Sequence, residues 1–88
     1  MTYEWDTDKR KSNKEKHGLD LADCYLVYEA SGKLTIDSHR PHEARWLDIA
    51  EVGDELLVLT LTYTRRGEAI RFISLRKASR MERKLYYG

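Results

Sequence analysis

The sequence predicts an α+β domain, and three observations carry that prediction. Between Lys33 and Arg76 apolar residues recur with a period near two, as strands with one buried face require. The first thirty residues instead carry helix boundaries, with Asp6 and Asp20 placed as N-caps and Gly18 as a stop. The chain then closes on Ser79 and Glu82, three apart as in a capping box. Helices set apart from an antiparallel run of strands define this class. With 88 residues there is room for one core, so residues 1–88 form a single domain.

Each element has its own warrant. Asp6 opens a helix over Thr7–His17, and the scarcity of apolar residues there places it on the surface. A second helix starts at Asp20, with Leu21, Cys24, Tyr25 and Tyr28 as its apolar stripe. After Ala30-Ser31-Gly32 comes a short strand, Lys33–Asp37, and a loop over Ser38–His42 that contains Pro41. Arg45–Val52, Glu55–Thr64 and Glu68–Arg76 then form an antiparallel meander, turning at Gly53-Asp54 and Arg66-Gly67. The sheet therefore has three or four strands, preceded by two helices. Ser79 caps a final helix that runs to Tyr87.

Register decides which side chains share a face. With two-residue loops in both hairpins, Arg45 lies opposite Thr62, and Thr62 opposite Arg71. Leu47, Thr60 and Ile73, then Ile49, Val58 and Leu75, continue that face. Trp46, Leu61 and Phe72 form a row on the reverse face, with Leu57, Leu59 and Ile70 around it. Two guanidinium groups thus converge at one end of the sheet.

Composition narrows the function. Hydrophobic residues make up 41% and charged residues 35%, which suits a soluble domain with a heavily charged surface. A net charge of +1 conceals an asymmetry: residues 65–88 hold eight Lys/Arg against two Glu, whereas residues 1–64 hold eight against thirteen Asp/Glu. Lys9–His17 is a second basic cluster, with five Lys/Arg against Glu15. Such clusters suit a local anion site, although a solvated helix face accounts for them equally well. The lone Cys24 cannot form an internal disulfide, and the opening MTYEWD does not read as a signal peptide. The longest apolar stretch, Leu56–Tyr63, is broken by threonines and falls far short of the roughly 20 residues of a membrane helix. The expected location is the cytoplasm, without membrane attachment.

Several segments together carry a family likeness. Glu4-Trp5-Asp6, Lys9, Asn13 and Lys16-His17-Gly18 resemble the opening of BrnT proteins. Glu43 with Arg45-Trp46 resembles their central element, and the run Arg71–Ala78, Glu82-Arg83 and Tyr86 resemble their last strand and helix. Leu21 stands where the family tends to have phenylalanine and Ala50 where glycine is common, both at packing positions. The resemblance implies a RelE-like fold and a ribonuclease toxin that halts translation by cutting RNA. It also implies a BrnA-type ribbon–helix–helix antitoxin as partner, with DNA contacted only through the toxin–antitoxin complex.

Metal-independent RNA cleavage needs the 2′-hydroxyl deprotonated, charge stabilised at phosphorus and a proton for the leaving oxygen. Arg45, Arg71 and Arg76 suit the second task, because a guanidinium stays charged and its fork matches phosphate oxygens. The competing reading is a salt bridge to Glu43, Asp48 or an antitoxin carboxylate. His17 suits proton transfer near neutrality, although it could equally cap a helix C-terminus. Lys16 and Lys77 extend the basic surface toward RNA. Tyr63 and Tyr86 could stack on bases, but at these spacings aromatic residues more often pack in the core. Trp5 and Trp46 read as packing anchors. Glu82 is explained by the capping box, and Cys24 by a buried stripe. Asp37, His39 and His42 lack further ligands, so neither a metal nor a cofactor is expected. Two other functions fit the same basic surface: a noncatalytic protein-interaction module and a DNA-binding regulator. The second lacks a recognition-helix motif.

Overall fold

The computed structural model describes residues 1–54 and 56–88. The elements run β1 (Thr2–Trp5), α1 (Thr7–His17), a 3-10 turn (Leu21–Asp23), α2 (Tyr25–Tyr28), β2 (Leu34–Asp37), β3 (Arg45–Val52), β4 (Leu57–Arg66), β5 (Ala69–Lys77) and α3 (Arg80–Tyr87). The α+β class holds, but the sheet has five strands in the order β1-β5-β4-β3-β2, and it is mixed. β1 precedes the first helix and runs parallel to β5 from Thr2↔Ala69 to Trp5↔Phe72, while every other pairing is antiparallel.

Helix boundaries follow the side chains that satisfy exposed amides. The Asp6 carboxylate accepts from Asp8 N and Lys9 N, and Gly18 closes α1 in the left-handed region at φ 73°. Asp20 caps a shorter element than expected, one 3-10 turn that leads into the single turn of α2. That change rotates the stripe: Leu21, Cys24 and Val27 are buried, whereas Tyr25 is 41% exposed. Ser79 and Glu82 form the reciprocal capping box at α3.

One sheet face packs under the N-terminal helices. Leu21, Cys24 and Val27 meet Ala50, Leu59, Leu61, Tyr63, Ile70, Phe72 and Leu75. Tyr3, Tyr28 and Phe72 add edge and tilted ring contacts, with Tyr3 and Phe72 centroids 5.0 Å apart. The opposite face is covered at one end by α3, over Ile49, Val58 and Ala78, with Leu34, Ile36 and Tyr86 packed around them. Its other end is open.

Two details reset the register. Val52 pairs with Leu57, so the first hairpin has a four-residue loop, and the expected strand start, Glu55, lies outside the described residues. The second hairpin does have two loop residues, Gly67 and Glu68, between Arg66 and Ala69. Both shifts are by two places, which preserves the faces: Arg45 pairs with Thr64 rather than Thr62, and Thr64 pairs with Arg71. A β-bulge between the Tyr63↔Phe72 and Thr62↔Ser74 pairs inserts Ile73 as an extra residue. Leu75 therefore joins Leu61 in the main core instead of joining Ile49 and Val58, and the reverse-face row is Trp46, Tyr63 and Phe72.

Candidate active site

The face that α3 covers at one end is organised in rows that cross the strands. The first is Arg45, Thr64, Arg71 and, on β1, Glu4; the second is Leu47, Thr62 and Ser74; the third is Ile49, Thr60 and Arg76. Thr60, Thr62 and Thr64 give this face its hydroxyls, a period-two signal that the sequence displays openly. Arg45 and Arg71 flank Thr64 on neighbouring strands, so their Cα atoms stand about 10 Å apart, two strand spacings. Long side chains close such a gap.

Each arginine of the first row meets a carboxylate without being enclosed by it. Arg45 donates from Nε to Glu43 Oε2 at 2.7 Å, and among the described residues this is the one hydrogen bond from its guanidinium. Its backbone N–H donates to His39 Nδ1 at 3.0 Å, which fixes the start of β3. Arg71 makes two long contacts, Nη1 to Glu4 Oε1 at 3.4 Å and Nη2 to Asp6 Oδ2 at 3.9 Å. The Asp6 carboxyl sits below its ordinary range, held there by the Lys9 and Asp8 amides and, less strongly, by Arg71. Thr64 is buried between the two arginines and donates to Ala44 O at 2.6 Å. A shallow cleft of about 560 Å³, lined by His42, Glu43, Ala44, Thr64, Arg65 and Arg66, opens beside the Arg45 end.

Arg76 differs. Its Nη1 and Nη2 donate to both oxygens of Glu82 at 2.7 and 2.8 Å. The same carboxylate accepts from Thr60 Oγ1 and Ser79 N, so Arg76 clamps α3 to the sheet. This pairing pulls the Glu82 carboxyl down to about 2 and raises the Arg76 guanidinium further.

The remaining expected contacts disperse. Tyr63 is 3% exposed, stacks on Trp46 at 5.8 Å and donates to Asp48, so no ring face is open to a base; burial, then Asp48, pushes its phenol up. Tyr86 packs from α3 onto Ile49, Val58 and Ala78, and its hydroxyl accepts from Glu51 N at 3.4 Å. Lys77 is exposed at the end of β5, opposite Leu59, and so has the parity of the core face. Lys16 and His17 lie away from the first row, in a cleft beside Ser74. Asp48 pairs with Lys33 rather than an arginine, and Cys24 is buried, with its thiol pushed up by desolvation. Among the described residues, no three His, Cys, Asp or Glu gather to hold a metal ion, and no helix is long and apolar enough to cross a membrane.

Sequence reasoning placed Thr62 between the arginines, whereas the structure puts Thr64 there; it also passed over Glu4 and Asp6 as the carboxylates that Arg71 meets. His42 was weighed only as a metal ligand and Arg65 only as part of the basic C-terminal stretch; both line the cleft at the Arg45 end. The arrangement as a whole presents fixed cations and hydroxyls on a rigid strand surface, which suits an anionic, phosphate-bearing ligand.

The sequence profile described as ribonuclease toxin, BrnT, of type II toxin–antitoxin system matches residues 5–82. No individual curated protein matches. Because the matched span runs from the last residue of β1 through Arg45, Thr64 and Arg71 to the start of α3, the chain belongs to the BrnT family of ribonuclease toxins of type II toxin–antitoxin systems.

Proposed function

We propose that this toxin cuts RNA without a metal, by attack of a ribose 2′-oxygen on the adjacent phosphorus, and thereby inhibits translation in the cytoplasm. The observation that carries the reading is the row Arg45–Thr64–Arg71, two guanidiniums on one open face with donors to spare. A phosphate seated between them has its growing negative charge met by preorganised N–H groups. The 2′-O–P bond forms, the P–O5′ bond breaks, and the 5′-oxygen leaves with a proton, which gives a 2′,3′-cyclic phosphate end. Carboxylates at Glu43, Glu4 and Asp6 hold the guanidiniums in place by single or long contacts that phosphate can displace.

His17, at the Ser74 end of the open face, is the proposed proton carrier, with Lys16 beside it as a phosphate contact. His42 supports a second reading, because its cleft shares Thr64 with the row. We read the fold as RelE-like and the partner as a BrnA-type ribbon–helix–helix antitoxin, through which alone the toxin reaches DNA. The rival reading as a noncatalytic module predicts intact RNA.

The test uses purified, antitoxin-free chain with EDTA and a single-stranded RNA, beside the same strand carrying one 2′-deoxy nucleotide at the cut. Cleavage of the first to a cyclic phosphate and survival of the second are expected. Loss of activity in EDTA, or cutting of the deoxy strand, overturns the reading. His17→Ala and His42→Ala, assayed across pH, identify which imidazole moves the proton.

A further inference from the structure

β1 accompanies β5 only as far as Phe72. Beyond that point α1 takes over the strand edge: the Asn13 side-chain amide donates to Leu75 O at 2.9 Å and accepts from Leu75 N at 3.1 Å. Between these two supports lie the bulged residues Ile73 and Ser74, and there the helix stands off the sheet. The gap is a cleft of about 210 Å³ lined by Lys9, Ser12, Asn13, Lys16, His17, Ile73 and Ser74.

The composition of that cleft is one-sided. Lys9, Ser12 and Lys16 recur at helical spacing along one stripe of α1, and His17 closes the end. No carboxylate lines it. Among the described residues, neither Lys9 nor Lys16 takes part in an ion pair. The other side of α1 carries the mixed charges of an ordinary solvated face, with Arg10, Lys11, Lys14 and Glu15, and Arg10 bound to Asp20 at 2.7 Å. Acidic partners are thus segregated away from the cleft, whereas a merely solvated helix would intersperse them. Ser74 links the cleft to the open face, since it pairs with Thr62, one row, or roughly 7 Å, from Thr64 between the two arginines.

We propose that this cleft is a second phosphate subsite, where Lys9, Lys16 and the hydroxyls of Ser12 and Ser74 hold an RNA backbone phosphate neighbouring the one at Arg45 and Arg71. The identity of the anion rests on the ribonuclease reading. The strand then passes from the arginine row over the bulge and under α1, so the bulge makes room for the backbone.

Binding of a single-stranded 2′-O-methyl oligonucleotide of roughly ten nucleotides, which cannot be cut, tests this across a salt series. Lys9→Ala/Lys16→Ala is expected to weaken binding about tenfold at low salt and to lower the log–log salt slope by about 0.7, one phosphate. Lys11→Ala/Lys14→Ala removes the same charge from the other side of α1 and is expected to change the slope little. Equal losses from both pairs, no loss from the first, or no binding by the parent chain would overturn the subsite. Because this strand is never cleaved, failure of the arginine chemistry appears separately, in the cleavage assay alone.

Discussion

Arg45, Arg71 and Arg76 each meet a carboxylate, and the geometry of each meeting decides what the arginine can still do. Arg76 is gripped at both ends by Glu82, whereas Arg45 spends one N–H on Glu43 and Arg71 makes contacts of 3.4 and 3.9 Å. Arg45→Ala and Arg71→Ala should therefore cost under about 1 kcal/mol of stability, as partly exposed pairs do, while slowing cleavage roughly 10²–10³-fold. Denaturant titration and single-turnover kinetics on the same preparations separate the two effects. Asp48 makes the opposite case. It has no solvent exposure and accepts from Lys33 Nζ at 2.7 Å, Thr35 Oγ1 at 2.7 Å and Tyr63 Oη at 3.1 Å. Asp48→Ala strands three donors, so a loss of about 3–5 kcal/mol is expected, read as a fall in denaturation midpoint. The sequence made Arg45 and Arg71 legible because alternation places them across from a threonine whichever even register applies. It could not separate Arg76 from them, since only the fold brings Glu82 under that guanidinium. Nor could it settle Tyr63, whose alternation serves a core face and a binding face alike.

At the scale of elements, the Glu82 carboxylate fastens α3 to Arg76 and Thr60 of the sheet. The Glu82 carboxyl is lowered from 4.5 to about 2, chiefly by Arg76. A lowered carboxyl stabilises the fold fully above 4.5, and its contribution disappears as pH falls toward 2. The expected size is on the order of 2 kcal/mol after allowing for partial exposure. Glu82→Gln should flatten the acid limb of the stability profile between those values, measured by denaturant titration at successive pH; an unchanged limb would contradict it. The first hairpin carries local strain at Leu56, which has φ 54° and is exposed. Leu56→Asn, a residue that tolerates this region better, should raise stability by about 0.5–1 kcal/mol in the same titration. Most elements were readable from caps and alternation, including β3 to the residue and both ends of α1. β1 was not. Its four residues look like a lead-in to a helix, and its pairing partner lies more than sixty positions away. The bulge at Ile73 was equally hidden, since it falls where β5 passes from β1 to Asn13, a contact between distant segments.

Across the whole molecule, the five-stranded sheet has unequal faces, and that inequality leaves room for the proposed site. The N-terminal helices close one face with an apolar core, and α3 closes part of the other over Ile49, Val58 and Ala78. The uncovered remainder holds threonines and arginines, bordered by basic residues of α1 on one side and Arg65 and Arg66 on the other. The net charge of +1 is therefore a poor guide to where an anion binds, since the sign is sorted by surface. The most direct measurement is single-turnover cleavage of one labelled RNA in EDTA by the parent chain, Arg45→Ala, Arg71→Ala and the double variant, each shown to be folded by circular dichroism. The account predicts that each single change removes most of the rate, and that the double change removes little more, since both groups act on one phosphate. Rates in both single variants equal to that of the parent chain would contradict it.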